Sequence, residues 1–372
     1  NAGKGGAITL ETRGDSGATI NIATGSTVDL RVGSTAQLGQ FAGTLHLRAP
    51  QNAAATDVLI DAIGGSVLGA SSIVLEGFKT YSLSGTGLIT SALRTSISSN
   101  GTTLGNNAAA IANRVLAGNS AVSVQVGAEL ISTGDITLGN LTPGGSSSAW
   151  DLSTFRFGTK QAPGVLTMRA AGNLVFYEAL SDGFQSASYD ATLLGFNNQL
   201  SANAQSWSYR LTAGADLTAA DVRQVNTSGT GSLLLGRDAG TGNDSASNIG
   251  TNAKTAAAVA GKFQVIRTGS GSIDINTAKD VQLLNQFATI YTAGTQVADP
   301  TLGGTFDTPN TSLSGLMGSL GSVQQLPGYA AQFTMAGGNV SINAGNDITH
   351  LTRNGSGQLI ADSSRQLPNN WL

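Results

Sequence analysis

The chain has 372 residues, enough for a sizeable core, and 40% of them are hydrophobic, which excludes a disordered polymer. Glycine contributes 50 residues without the strict every-third spacing of collagen, and charged residues are only 11%, a composition that suits stacked strands and tight turns better than charged helical surfaces. The net charge of −3, with no run of Lys or Arg, argues against nucleic acid or an anionic membrane as partner, and a chain without cysteine has neither disulfides nor thiolate metal sites.

The chain starts at Asn1 without a charged-then-apolar leader, and no apolar run reaches membrane-spanning length. It is therefore expected to be a piece of a larger protein or a processed product, with no signal peptide and no membrane insertion. The first 80 residues hold four brief alternating runs, "GAITLET", "GATINIAT", "STVDLRV" and "GTLHLRAP", bounded by Gly or Pro. Period-2 alternation places Ile8, Leu10, Ile20, Ile22, Val28, Leu30, Leu45 and Leu47 inward, and Thr9, Asn21, Asp29 and His46 outward. Between the first two runs lies Arg13-Gly14-Asp15, in an expected turn. Residues 84–118 read as an insertion. Within it Leu104, Ala108, Ile111 and Val115 are spaced as one helical face, so a helix is predicted over 102–118, capped by Thr103 or Asn107 and ended by Gly118. Its expected role is to cover a flank or a sheet edge.

From residue 130 one phrase keeps returning: "LISTGDI", "VLTMRAAGNL", "YRLTAGADL", "IDINTAKDV" and "VSINAGNDI". Each is an alternating strand, a small-residue turn, an Asn or Asp, and an aliphatic residue. The anchors Asp135, Asn173, Asp216, Asp280 and Asp347 are 38, 43, 64 and 67 residues apart. These intervals read as two, two, three and three copies of a unit of roughly 20–22 residues. Such a unit cannot bury its apolar face alone. Stacking at about 4.8 Å per coil gives continuous aliphatic ladders, with turn Asn and Asp satisfying neighbouring backbone. The predicted class is all-β, a parallel β-helix (solenoid), forming a single rod over 1–350. A β-sandwich array would need Asn-Gly hairpins between strands, and the two Asn-Gly sites, in "SNGTT" and "RNGSG", are not so placed.

Residues 179–208 and 286–332 read as long irregular excursions, and 351–372 as a terminal coil. Loops of that length in a compact repeat often carry function. Trp150, Phe184, Tyr189, Phe196, Trp207, Tyr291, Phe306 and Tyr329 cluster in or beside excursions. Exposed, they would stack on sugars or a protein partner; the preferred reading is that they pin the loops onto the rod, because large apolar groups are usually buried.

Glycoside hydrolysis needs two carboxyls converging across one bond. Glu178, Asp182, Asp190 and Asp221 are available, but most acids sit in turns where capping the backbone is reason enough. His46 and His350 do not form a metal pair by spacing. "GTGNDSAS" at 240–247 is not a repeated calcium motif, "GTGLIT" lacks the third glycine of a dinucleotide fingerprint, and no nucleophile elbow occurs. No catalytic residue, cofactor or metal is expected.

"FAGTLHLRAP" (41–50), "DVLIDAIGGSVLGASSIVLEGFKTYSL" (57–83) and "AAGNLVFYEALSDGF" (170–184) resemble the large filamentous-haemagglutinin-like exoproteins of Gram-negative bacteria. The resemblance spans most of 1–350 and implies a right-handed β-helical fibre, secreted through an outer-membrane two-partner transporter and displayed on the bacterial cell surface as an adhesin. No Asn-Pro-Asn occurs, so the segment reads as interior or distal fibre rather than the secretion domain, and nothing at 351–372 resembles a toxin domain. The implied partners are that transporter during export and a glycan or protein receptor, with self-association through open coil edges. Adhesins of this kind can carry an integrin-binding Arg-Gly-Asp, although turn chemistry alone accounts for residues 13–15. The expected function is thus a structural and adhesive shaft segment. The alternatives are a carbohydrate-active enzyme, a self-assembling filament subunit or a phage tailspike shaft.

Overall fold

The computed structural model describes residues 6–13, 17–31, 43–140, 149–183, 204–236, 264–284, 288–296, 308–310, 326–329, 334–354, 356 and 358–362. Strands β1 (Ala7–Glu11), β2 (Thr27–Asp29), β3 (Gly43–Pro50), β4 (Ser66–Leu68) and β5 (Ala70–Leu83) come first, then helices α1 (Ser91–Asn106) and α2 (Ala108–Val115). The chain continues through β6 (Val122–Ser132), β7 (Ile136–Leu138), β8 (Trp150–Asp151), β9 (Gly164–Ala170), β10 (Leu174–Phe176) and β11 (Leu180–Ser181). Next are β12 (Ser208–Ala213), β13 (Leu233–Leu235), β14 (Val265–Thr268), β15 (Ile273–Thr277), β16 (Val281–Leu283) and β17 (Thr289–Thr292). Short strands β18 (Thr295–Gln296), β19 (Thr308–Asn310), β20 (Leu326–Tyr329) and β21 (Thr334–Met335) precede β22 (Val340–Ala344), β23 (Ile348–Arg353) and β24 (Leu359–Ala361). The protein is mostly β.

Three sheets dominate. The first runs β1-β3-β5-β6-β9-β12-β15-β22, the second β7-β10-β13-β16-β23-β24, and the third β8-β11-β14-β17. Every pairing in them is parallel except β23 with β24. From β6 onward the chain visits the sheets in constant order, β6-β7-β8, β9-β10-β11, β12-β13-β14 and β15-β16-β17, and then β22-β23. Alternation fills the interior. Leu130, Met168, Leu211, Ile275 and Ile342 form one column in register, and Ile136, Leu174, Leu233, Val281 and Ile348 another.

The register also corrects the repeat length. Glu129, Thr167, Arg210, Asp274 and Ser341 stand side by side, at the same 38-, 43-, 64- and 67-residue intervals seen in the sequence. Each interval is therefore one circuit through the sheets, not two or three copies of a shorter unit. The recurring phrase marks only the corner between the first and second sheets, which a circuit turns once.

At that corner side chains cap the next circuit. The N–H of Asn173 donates to Asp135 Oδ1 (2.7 Å), that of Ser232 to Asn173 Oδ1 (2.9 Å), that of Asp280 to Ser232 Oγ (3.3 Å) and that of Asp347 to Asp280 Oδ1 (3.2 Å). The third member is Ser232, not Asp216. In that circuit residues 214–231 are inserted before β13, and Asp216 caps its own turn by accepting from the Thr218 N–H at 2.9 Å.

The helical segment begins earlier than 102 and is broken at Asn107. Thr90 caps α1, accepting from the Leu93 N–H at 3.2 Å. Leu104, Ile111 and Val115 are buried as their spacing predicts, joined by Ile97. The first turns of α1 are rich in Ser and Thr, poor helix formers, and Thr95, Ser96, Thr102 and Thr103 each bond back to the carbonyl four residues earlier. Gly101 belongs there for packing: a Cβ on it would lie 2.4 Å from the Phe157 ring. The expected tail also differs, since β23 runs on to Arg353 and β24 folds back against it. Within the expected excursions, β11 and β17 are regular members of the third sheet.

Candidate functional site

Alternation sends one set of side chains to the face of the first sheet opposite its aliphatic column, and there the charges collect. Glu11, Arg48 and Glu76 are direct partners on β1, β3 and β5. Arg48 Nη1 donates to Glu11 Oε1 (2.5 Å), Nε to Glu76 Oε1 (2.9 Å) and Nη2 to Glu129 Oε2 on β6 (2.5 Å). Its guanidinium also lies 3.9 Å from the centroid of the Phe78 ring. Arg210 on β12 grips both Glu76 oxygens at 2.8 and 2.9 Å, and His46 Nε2 lies 2.8 Å from Glu76 Oε2. Arg169 on β9 donates to Glu129 Oε1 (3.1 Å) and to the carbonyls of Asp216 and Ala219, so the 214–231 turn folds back over this face. One network thus joins β1, β3, β5, β6, β9 and β12.

Burial by itself would raise the Glu76 carboxyl, but Arg210, His46 and Arg48 together hold it well below the usual carboxylate range. For Glu11 burial wins: its carboxyl is pushed up despite Arg48 and Arg210. Arg48, Glu76, Glu129 and Arg169 are all buried, and their charges are spent on one another. This arrangement clamps strands and presents no carboxyl pair to an open cleft.

A second cluster consumes an acid considered for catalysis. Asp182 is buried, with both oxygens bound by Arg156 Nη2 at 2.8 and 3.0 Å and Oδ2 also accepting from the Trp207 N–H at 2.7 Å. Trp207 Nε1 donates to Phe155 O at 2.9 Å. Of the aromatics, Trp207 is 0% and Trp150 1% exposed, so neither is a surface contact; both belong to the buried core, as large apolar groups do when an enclosed site is within reach. Tyr291 is half-buried and accepts from Arg267 Nη1 at 3.2 Å. Tyr329 closes β20 opposite Thr308. Arg13 is half-buried, while Gly14, Asp15, Tyr189, Phe184, Phe196, Phe306 and Asp190 lie outside the described residues. Asp221 caps a turn through the Arg223 N–H at 2.9 Å.

The open space is elsewhere. A groove of about 1000 Å³ lies between the start of β6, helix α2 and the 153–163 loop, lined among others by Val124, Gln125, Ala108, Ala112, Arg156 and Lys160. No Asp or Glu is among its described lining residues. Its one aromatic, Phe157, is 3% exposed and offers no stacking platform. Lys160 has no ion-pair partner among the described residues, where likewise no three His, Asp or Glu side chains are placed to hold a metal ion. No helix among the described residues is long and apolar enough to cross a membrane.

Neither the groove nor the ion network was singled out from sequence. The network had a signal, Arg or Glu at outward positions of "LHLRAP", "IVLEGF" and "GAELIS", but only the register brings those strands together. No family model matches the chain, and no curated protein or solved structure matches it.

Proposed function

We propose that the chain is a right-handed parallel β-helix that serves as a shaft segment of a secreted bacterial surface fibre, holding adhesive elements away from the cell. The observation that carries this reading is the constant three-sheet circuit together with the apolar side chains exposed on its last strands. Ile273 and Val281 are 0% and 1% exposed, yet their column partners in the last circuit, Val340 and Ile348, are 42% and 57% exposed. A self-contained repeat protein needs polar capping units. In the first sheet an apolar column that ends on an exposed Val340 suits a rod that further coils extend, while in the second β24 folds back on β23. Among the described strands β22 is the last of the first sheet, which fits the same reading.

The mechanism is geometric: ladders, caps and the ion network stiffen the rod, and loops supply contacts to a glycan or protein receptor. In this reading an outer-membrane two-partner transporter exports the fibre. The carbohydrate-active alternative is less favoured because Asp182, Glu76 and Glu129 are already held by arginines. A direct test is the mass and location of the native polypeptide, by denaturing gel, peptide mapping and surface proteolysis. A surface-exposed chain several times larger than 37.4 kDa is expected. A chain close to that mass held inside the cell would sink the fibre reading. Release of reducing or unsaturated ends from polysaccharide would favour the enzyme.

A further inference from the structure

The groove has a feature that its side chains do not reveal. Strand β6 pairs with β5 from Val122 onward but with β9 only from Val126, opposite Gly164. The Ile73 N–H donates to the Ala121 carbonyl at 2.9 Å, so Ala121, Ser123 and Gln125 turn their backbone groups toward β5. Alternation then points the N–H and C=O of Val124, and the C=O of Val122, to the other side, into the groove. The next donor in the ladder would be the amide of residue 163. That residue is proline, which has no N–H, so β9 cannot extend its pairing onto Val124.

We infer that this edge is a strand-addition site for an extended, acidic peptide segment of a partner protein. The backbone groups of the half-buried Val122 and Val124 seek partners at the two-residue spacing of a strand, which a peptide supplies and a sugar chain does not. Ala108 and Ala112 leave room for side chains on the helix side, and Lys160, with no carboxylate among the described lining residues, selects a negative charge. The site is independent of whether the rod belongs to a fibre.

The test uses the whole chain and a fluorescent seven-residue peptide of alternating valine and threonine with a central glutamate. Two further forms are N-methylated on one or the other strand edge. Saturable anisotropy binding is expected for the parent and for only one methylated form. Lys160→Glu should weaken it about fivefold, the scale of a single exposed charge pair. Val124→Pro removes an N–H on the open side, leaving the pairing with β5, and should abolish binding with an unchanged circular dichroism spectrum. No saturable binding, equal binding of both methylated forms, or displacement of the peptide by polygalacturonate would overturn the proposal; the last would make the groove an anionic-glycan site. The methylated pair decides the matter even if Val124→Pro fails to fold.

Discussion

Replacing Arg48 with methionine keeps most of the side-chain volume over Phe78 and removes one charge that serves three carboxylates. The consequences differ among them. Glu76 retains Arg210 and His46, and Glu129 retains Arg169, but Glu11 loses the arginine that donates to it. Removing one partner of a buried ion pair costs about 3–5 kcal/mol, because the opposite charge stays behind without compensation. With two of the three acids still partnered, the lower half of that range, about 3 kcal/mol, is expected at pH 7. The assay is guanidinium unfolding followed by circular dichroism, with hydrogen exchange to locate the loss, since long repeat arrays need not unfold in one step. Faster exchange should be confined to β1, β3, β5 and β6. The deficit should shrink toward pH 4, where Glu11, whose carboxyl is already pushed up by burial, takes a proton and no longer needs a cation. A deficit under about 1 kcal/mol, or one that does not change with pH, would refute the idea that this network is a buried clamp.

The two acids flanking Arg48 should respond to pH in opposite senses. Glu76 is held well below 4.5 in the folded chain, so its stabilising contribution is full above that value and is lost as pH falls through the lower folded one; Glu76→Gln should remove that acid sensitivity. Glu11 is raised above 4.5, so its ionisation opposes folding at neutral pH, and Glu11→Gln should cost much less than Glu76→Gln in the same titration. Asn173→Ala strips the acceptor from the Ser232 N–H and should lower stability by about 1–2 kcal/mol, with Asn173→Asp restoring most of it, as read from chemical denaturation. Gly101→Ala, which in an exposed helix would stabilise by up to about 1 kcal/mol, should here reverse sign and destabilise by about 1–3 kcal/mol through contact with Phe157. A Tm that rises would show that the ring can move aside.

Much of the chain's local chemistry is written in its residues. Alternation in "GTLHLRAP" puts Leu45 and Leu47 inside, and the anchors Asp135, Asn173 and Asp280 are turn caps because a short acceptor side chain is what a neighbouring N–H needs there. The spacing of Leu104, Ile111 and Val115 marks a helical face, while the Ser/Thr-rich start of α1 hides its own helix because those side chains carry little apolar periodicity. What only the tertiary structure decided is which circuit meets which. The similarity of phrases cannot show that Ser232, rather than Asp216, continues the ladder, nor that Arg48 joins acids from β1, β5 and β6. The same holds for the open edge at Val124, which exists because Pro163 arrives beside it. Side-chain period is a property of one strand and is legible locally, whereas register is a property of two strands far apart in the chain, set by inserted turns whose lengths follow no rule in the sequence.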